Sequence, residues 1–496
     1  MVKTLKHLFE QAYSLPHDWL ICEHSHQFLQ LTEKFYLELK QFSHCQTPPK
    51  IILAEREPAR FLAGFLAACA SNSSVFLCNP NWVKHEWQQV LELVQPDIIW
   101  GIELRGHREV GTRGSGELRG CGEKETLGRF SDSPQIMIPT GGSSGKIKFA
   151  IHTWDTLIAS VHGFTEYFQL HQVNSFCVLP LYHVSGLMQF MRCFITSGKL
   201  VILPFQQLEF GQLVNINLSD FFISLVPTQL QRLLQNLDLT QWLSQFQTVL
   251  LGGAPAWDEL LEKARYYQIH LSLTYGMTET ASGIATLKPD DFLHGKVNCG
   301  QILPHAKVTI CSEQGEVLHT NQIGNIAIQA KSLYLGYYPL NTAFRVANSG
   351  SVSIFKTDDL GFFDNEGYLN IIGRSSSKII TGGENVYPLE IEAAIRATAM
   401  VTDICVIGIP DQDWGQAVTA IYVPKHENTS LEEIQNLLKD KLSKFKIPKY
   451  WIPVQFLPRN SQGKINRQQL QQEAREYLKI RQKPEEPLRP CGLSAL

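Results

Sequence analysis

Ten residues, Pro139-Thr140-Gly141-Gly142-Ser143-Ser144-Gly145-Lys146-Ile147-Lys148, gather three glycines, three hydroxyls and two ammonium groups. Glycines let backbone N–H groups turn toward a ligand, and hydroxyls and lysines add donors, so these types suit the cradling of phosphate oxygens. The glycines fall at 141, 142 and 145 and no hydroxyl follows Lys146, which disfavours a P-loop NTPase. Other reactive types stand at the ends of apolar runs. Leu179-Pro180-Leu181-Tyr182-His183-Val184-Ser185-Gly186 offers an aromatic ring and an imidazole. Gly252-Gly253-Ala254 follows Thr248–Leu251 and opens the backbone to a ligand. Thr274-Tyr275-Gly276-Met277-Thr278-Glu279 adds hydroxyls, a ring and a carboxylate, and Gly463-Lys464 lies in a turn that can thrust one ammonium toward a partner surface. Singly, such turns are more often plain connections. His152 and His162 lack a partner at metal or triad spacing and read as structural or surface residues.

Such stretches need strand ends to hold them. Ile51–Ala54, Ser74–Cys78 and Asp97–Trp100 read as buried strands, with helices over Pro58–Ala70 and Trp82–Leu93 between them, so the fold class is α/β. In open α/β sheets ligands sit beyond the strand ends. Residues 1–46 read as helical. From Glu103 to Asp132 the chain turns to Gly, Arg and Glu, which cannot sustain a core and predicts a surface excursion. A hairpin signal at Gly361–Tyr368 closes a large N-terminal domain of layered sheets over 1–374. A Ser-rich hinge at 375–378 leads to a small α+β domain over 379–480. It has helices at 388–398 and 431–442 and strands at 404–409 and 418–423. Lys479–Leu496 is Pro-rich and polar, and 481–496 is expected as a disordered tail.

At 496 residues, 44% hydrophobic and 18% charged, the chain is long enough for two or more domains. A formal charge of −3 argues against nucleic acid or an anionic membrane as a bulk partner. The eleven cysteines form no C-x-x-C pair, which indicates neither a zinc site nor a disulfide framework and fits a reduced cytoplasmic interior. Phe61–Ala70, the most apolar stretch, is too short to span a bilayer.

Taken in order, the motifs resemble those of the acyl-adenylate-forming, AMP-binding enzymes, over residues 139 to 470. That family includes the acyl- and aryl-CoA ligases, firefly luciferases and peptide-synthetase adenylation domains. The resemblance implies ATP, CoA and a small-molecule acid as substrates and Mg²⁺ as cofactor. It places Thr140, Gly141, Gly142, Ser143, Ser144, Gly145 and Lys148 on the phosphates. Gly252, Gly253, Ala254, Thr274, Gly276 and Met277 lie along the nucleotide and Tyr275 against adenine. Thr278 goes on the α-phosphate, Glu279 on Mg²⁺, and Arg374 on sugar or phosphate. Phe355-Lys356-Thr357-Asp358-Asp359-Leu360 resembles a Tyr-x-Thr-Gly-Asp motif whose Asp, here Asp359, binds the ribose hydroxyls. His183, Ser185, Gly186, Arg192, Gly252 and Gly276 fall to the acid, and Gly382, Gly383, Glu384 and Trp414 to CoA, as in aryl-CoA ligases. Lys464 takes the catalytic-lysine position, on a small domain that swings about the hinge. Four residues depart from the family pattern: Gly141 and Ile147 in the cradle, Asp358 where Gly is usual, and Ser376 at the hinge.

The chemistry so implied is attack of a carboxylate on the α-phosphorus of ATP, loss of pyrophosphate, and attack of a thiol on the acyl-AMP. Positioning and positive charge serve both halves. Within the family the chain looks most like the 2-succinylbenzoate–CoA ligases of menaquinone and phylloquinone synthesis. Another aryl- or fatty-acyl-CoA ligase is the alternative. A non-catalytic nucleotide-binding regulator is the alternative of another class, and Lys464, Glu279 and Asp359 weigh against it. 2-Succinylbenzoate is activated at its aliphatic carboxylate, so its aromatic one stays charged in the pocket and requires a cation. On a helix starting near Gly186, Arg192 shares a face with residues 188 and 195, among apolar neighbours. The position of Lys464 predicts that Lys464→Ala loses acyl-AMP formation by several orders of magnitude. The variant still converts supplied acyl-AMP to thioester at a near wild-type rate, and separate half-reaction assays check this.

Overall fold

The strand Lys50–Leu53 is apolar on both sides, with Ile51 and Leu53 in one core cluster and Ile52 in another. Burial on both faces calls for helices above and below a parallel sheet. The structure, a computed structural model, has that arrangement. It describes residues 7–42, 48–102, 134–141, 147–339, 354–382, 384–411, 414–426, 429–439, 441–459 and 465–482. The chain divides into two compact units, residues 1–256, 260–357 and 361–371 in the first and 257–259, 358–360 and 372–496 in the second.

In the first unit, a six-stranded sheet runs in the order Tyr337–Tyr338, Ile147–Thr153, Gln135–Gly141, Ser74–Leu77, Lys50–Leu53, Ile98–Trp100. Its last four strands are parallel, and Gln135–Gly141 and Ile147–Thr153 form an antiparallel hairpin that sets Thr140 opposite Lys148. The motif read as a phosphate cradle is thus flanked by two paired strands. Residues 142–146 of it, like the 103–132 stretch, lie outside the described residues. An eight-stranded sheet places Phe221–Leu225, Thr248–Leu251 and Leu271–Met277 side by side and parallel, then turns antiparallel through Ser282–Thr286. A four-stranded sheet comes next, ending in Phe355–Phe363 and Leu369–Arg374, of which residues 358–360 and 372–374 are counted with the second unit.

Two helices pack beside these strands. Trp154–Phe168 starts because Thr153 and Thr156 cap each other, the Thr153 hydroxyl accepting from Thr156 N at 3.3 Å and Thr156 Oγ1 from Thr153 N at 3.0 Å. Val184–Thr196 buries Leu187, Met188, Phe190, Met191, Cys193 and Phe194 without measurable exposure, so packing rather than amphipathicity holds it.

The second unit carries the sheet Glu384–Val386, Ile379–Thr381, Gly415–Pro424, Val401–Asp411, with Tyr450–Pro453 beside Gly415–Pro424. Val401–Asp411 alternates: Ile404 and Val406 pack with Ile391, Leu438 and Trp451, while Cys405 and Ile407 pack with Ile452, Leu470 and Ala474. Two expectations change. Leu20–Ile21, inside the stretch read as all helical, is a short strand parallel to Leu200–Ile202. The helix Arg467–Gln482 runs through 479–482, which composition assigns to the tail, and 483–496 lie outside the described residues.

Glu392 ties this unit together. Its Oε1 accepts from Val406 N at 2.8 Å and from Arg467 Nη2 at 2.9 Å, joining helix, strand and the segment after residue 464. Glu392→Ala is expected to destabilise the unit by about 2 kcal/mol, the scale of hydrogen bonds to a charged group. Lost amide-exchange protection along Val401–Asp411 measures it.

Candidate active site

The parallel strands Thr248–Leu251 and Leu271–Met277 end side by side, and glycines let the segments beyond them come close. A Cβ on Gly252 would lie 2.5 Å from Thr274 Oγ1, and one on Gly276 would lie 2.1 Å from the Ser282 carbonyl oxygen. Gly253 has φ +82°, a left-handed conformation that suits glycine, and Ala254 beside it is exposed. Beyond Met277 the chain reverses through the single helical turn Thr278–Thr280, then through Ala281 and Ser282, both at positive φ. His152 holds the start of that reversal. Its Nε2 donates to the Thr278 carbonyl at 2.8 Å while Nδ1 stands 3.0 Å from Thr156 Oγ1, and burial lowers its pKa to about 4, so the ring is neutral. It is thus structural, as its sequence context implied. His162 is exposed.

Glu279 is buried, and Tyr337 donates its hydroxyl to Glu279 Oε1 at 2.6 Å. Burial and that carboxylate hold the Tyr337 phenol well above its ordinary pKa. Lys148, across the hairpin from Thr140, sits with Nζ 5.5 Å from the Tyr337 ring. Tyr337 thereby links the cradle strand to Glu279. Sequence reading missed it: a two-residue strand has no periodicity, and the available signal was the aromatic run Tyr334-Leu335-Gly336-Tyr337-Tyr338.

Among the residues expected to border the acid, His183 is the N-cap of Val184–Thr196, its carbonyl accepting from Gly186 N at 3.1 Å and Leu187 N at 2.9 Å. Gly186 lies so close to Pro180 that a Cβ would fall 2.2 Å from its carbonyl oxygen, and Ser185 is half-buried beside it. Arg192, nine residues on and so about 13 Å along the helix, is 5% exposed. Its guanidinium lies 4.0 Å from the Phe164 ring centroid, and Nη2 reaches Ser282 Oγ at 3.4 Å. Among the described residues no carboxylate pairs with it. Burial lowers its pKa to about 10, which leaves it charged at neutral pH. Arg192 and Gly276 thus meet through Ser282, whereas His183, Ser185 and Gly186 occupy the far end of the same helix.

In the second unit, Arg374 Nε and Asp359 Oδ1 stand 3.4 Å apart. Two of the departures from the family pattern meet: Asp358 Oδ1 accepts from Ser376 N at 3.0 Å, and its other oxygen accepts from the Ser376 hydroxyl. Gly382, at φ +57°, donates its N–H to the Trp414 carbonyl at 2.9 Å, and a Cβ there would fall 2.8 Å from the indole. Trp414 is 48% exposed, and Glu384 is exposed on the adjoining strand. Gly142, Ser143, Ser144, Gly145, Gly383 and Lys464 lie outside the described residues. On either side of residues 460–464, Arg459 and Ile465 form an antiparallel bridge, and Asn466 N donates to Pro458 O at 2.8 Å.

The AMP-binding enzyme profile matches residues 46–338 and the AMP-binding enzyme C-terminal domain profile residues 390–464. The chain is 35% identical over 340 residues to a 2-succinylbenzoate–CoA ligase of Listeria monocytogenes, covering 67% of this chain and 68% of that one. It is 34% identical over 346 residues to one from a Geobacillus species, covering 69% of each. Among solved structures, o-succinylbenzoate CoA synthetase from Bacillus subtilis, in complex with its acyl-adenylate intermediate, superposes with a TM-score of 0.79 at 26% identity over 93% of this chain and 97% of that one. The same enzyme with ATP and magnesium ion gives 0.78 at 25% identity, over 93% and 98%. The chain belongs to the AMP-binding enzyme family, the class whose members join an acid to AMP.

The crossing of Gly276 and Ser282 predicts that Gly276→Ala, whose methyl meets backbone that cannot swing aside, destabilises the fold by about 1–3 kcal/mol. A lowered thermal midpoint checks this.

Proposed function

We propose that this chain is an AMP-forming acid–CoA ligase that converts 2-succinylbenzoate, ATP and CoA to 2-succinylbenzoyl-CoA, AMP and diphosphate in menaquinone or phylloquinone synthesis, working in the cytoplasm. The observation that carries the substrate assignment is Arg192. A guanidinium kept charged in an apolar helix, with no described carboxylate beside it, is costly unless a ligand supplies the anion. The aromatic carboxylate of 2-succinylbenzoate is such an anion, and the named activity of the relatives supplies the acid. None of the eight described cysteines is in a disulfide, and among the described residues no helix is long and apolar enough to cross a membrane.

In this reading Tyr275 lies against adenine, and Gly252, Gly253, Ala254, Thr274, Gly276 and Met277 pass the nucleotide close to the backbone. Thr278 donates to the α-phosphate, Lys148 and the cradle hold the outer phosphates, and Asp359 accepts from the ribose hydroxyls with Arg374 beside it. His183 and Ser185 border the acid near the reacting carboxylate. Lys464 offsets charge during adenylation. Gly382 and Gly383 admit the pantetheine arm, with Trp414 and Glu384 at its border. Glu279 fits Mg²⁺: it is a carboxylate already oriented by Tyr337, and a single carboxylate completed by substrate phosphates is how this ion is commonly held. When bound there, the ion offsets phosphate charge.

Arg192→Ala is expected to weaken use of 2-succinylbenzoate by roughly 2–5 kcal/mol in kcat/KM, the scale for truncating one partner of a buried charge pair. ATP dependence stays nearly constant. Wild-type kinetics in the variant would overturn the substrate assignment or the place of Arg192, and assays of benzoate and fatty acids with the wild type separate the two.

A further inference from the structure

Next to Arg192 stands a second polar group to which the proposed chemistry gives no task. His305 follows Leu303-Pro304 in a tight turn, with Ala306 N donating to Leu303 O at 3.0 Å, at the start of the strand Ala306–Cys311. Its ring is laid over Gly163 in the helix Trp154–Phe168, so closely that a Cβ on Gly163 would fall 1.8 Å from Nδ1. Phe164, the next residue, carries the Arg192 guanidinium on its face. Both His305 nitrogens, and Arg192 Nε, are shielded from solvent without a hydrogen-bond partner among the described residues. Unmet polar atoms of this kind are uncommon in folded proteins, and each costs on the order of 1–3 kcal/mol. Two of the three, Arg192 Nε and one imidazole nitrogen, are donors, and one of the two side chains is cationic, which is the chemistry of an anion site.

We propose that His305 is a specificity-determining residue, which donates one ring N–H to the same substrate carboxylate that Arg192 neutralises. The inference rests on the proposed function, since it takes the free aromatic carboxylate of the acid as the ligand. Arg192 supplies the charge, and Ser282, already within reach of Nη2, orients it. The imidazole adds a directed donor beside that charge, so the site reads the carboxylate's place on the ring as well as its charge. Burial first, and the nearby Arg192 charge second, lower the His305 pKa to about 4, so the ring is neutral before the acid arrives and offers one donor and one acceptor. Gly163 is part of the device, because any larger residue there takes the space of the ring.

The test compares 2-succinylbenzoate with 4-oxo-4-phenylbutanoate, the same molecule lacking the ring carboxylate, in AMP-formation assays of the full-length enzyme. His305→Phe keeps the ring volume and removes the nitrogens. It is expected to lower kcat/KM for 2-succinylbenzoate about 10- to 100-fold, the worth of one hydrogen bond to a charged group, mostly through KM, while the analogue is hardly affected. His305→Gln, which retains a donor, should keep most of the preference. Gly163→Ala, a favourable change for a helix, should push the imidazole aside and shift the preference in the same direction as His305→Phe, which decides the matter even if the phenylalanine variant folds poorly. Equal losses with both acids would make His305 a packing residue and overturn the inference, as would unchanged discrimination in all three variants. Arg192→Ala run in parallel locates the failure. If it abolishes the preference while the His305 and Gly163 variants keep it, only this inference falls; if it too leaves the preference intact, the substrate reading falls with it.

Discussion

The structure around the candidate site depends on one chain reversal, residues 277–282. Two consecutive residues that are not glycine, Ala281 at φ 51° and Ser282 at φ 88°, sit in left-handed backbone there. Such conformations cost on the order of 1–3 kcal/mol each and persist only where surroundings fix them. Here the surroundings do. His152 donates to the Thr278 carbonyl at 2.8 Å, Ser160 Oγ to the Ala281 carbonyl at 2.7 Å, and Thr280 Oγ1 lies 2.6 Å from the Ser282 carbonyl. Buried bonds worth roughly 0.5–1.5 kcal/mol each offset much of that strain. They also tie the reversal to the cradle strand and to the helix behind it. One backbone path thereby fixes Glu279 on one side and Ser282 on the other.

That path explains why glycines stand where they do. Gly276 lets the returning strand pass at contact distance, and Gly163 makes room for His305. In each case the side chain that glycine lacks would occupy the place of a neighbouring backbone atom or ring. The same device recurs in the second unit, where Gly382 lies beneath the Trp414 indole. Space made by omission costs backbone entropy, which burial of the surrounding elements offsets.

Much of this was legible in the sequence. The succession of apolar runs gave the strands and helices of residues 50–100, the strands as short apolar runs and the helices as longer ones. The apolar stretch after Gly186 placed Arg192 among buried neighbours, where the structure finds it at 5% exposure. Tyr337, His305 and Ser282 were not legible. Their surroundings come from pairings far away in sequence: Tyr337 lies opposite Ala150, and His305 lies over Gly163. No local pattern records such contacts. Leu20–Ile21 is a strand for the same reason, because a partner at Leu200–Val201 completes its ladder. The bond between Asp358 and Ser376 shows the converse, in that two departures from a family pattern, eighteen positions apart along the chain, are partners in space.

Exposure separates the two kinds of recognition the chain would perform. The Arg374–Asp359 pair has its guanidinium 58% exposed, and ion pairs in such surroundings contribute about 0–1 kcal/mol. Lys148 and Trp414 are similarly open to water. Those groups suit ligands common to the whole family, nucleotide and thiol, which bring many contacts and need little discrimination. The acid is small and must be told from its analogues. Discrimination of that size requires groups already stripped of water, because only there does an unmet charge or donor cost several kcal/mol when the wrong acid binds. Arg192 and His305 are such groups, placed on helix and strand rather than on an open loop. In the proposed function, selectivity for the acid would therefore belong to these buried side chains of the large unit, however the exposed groups vary.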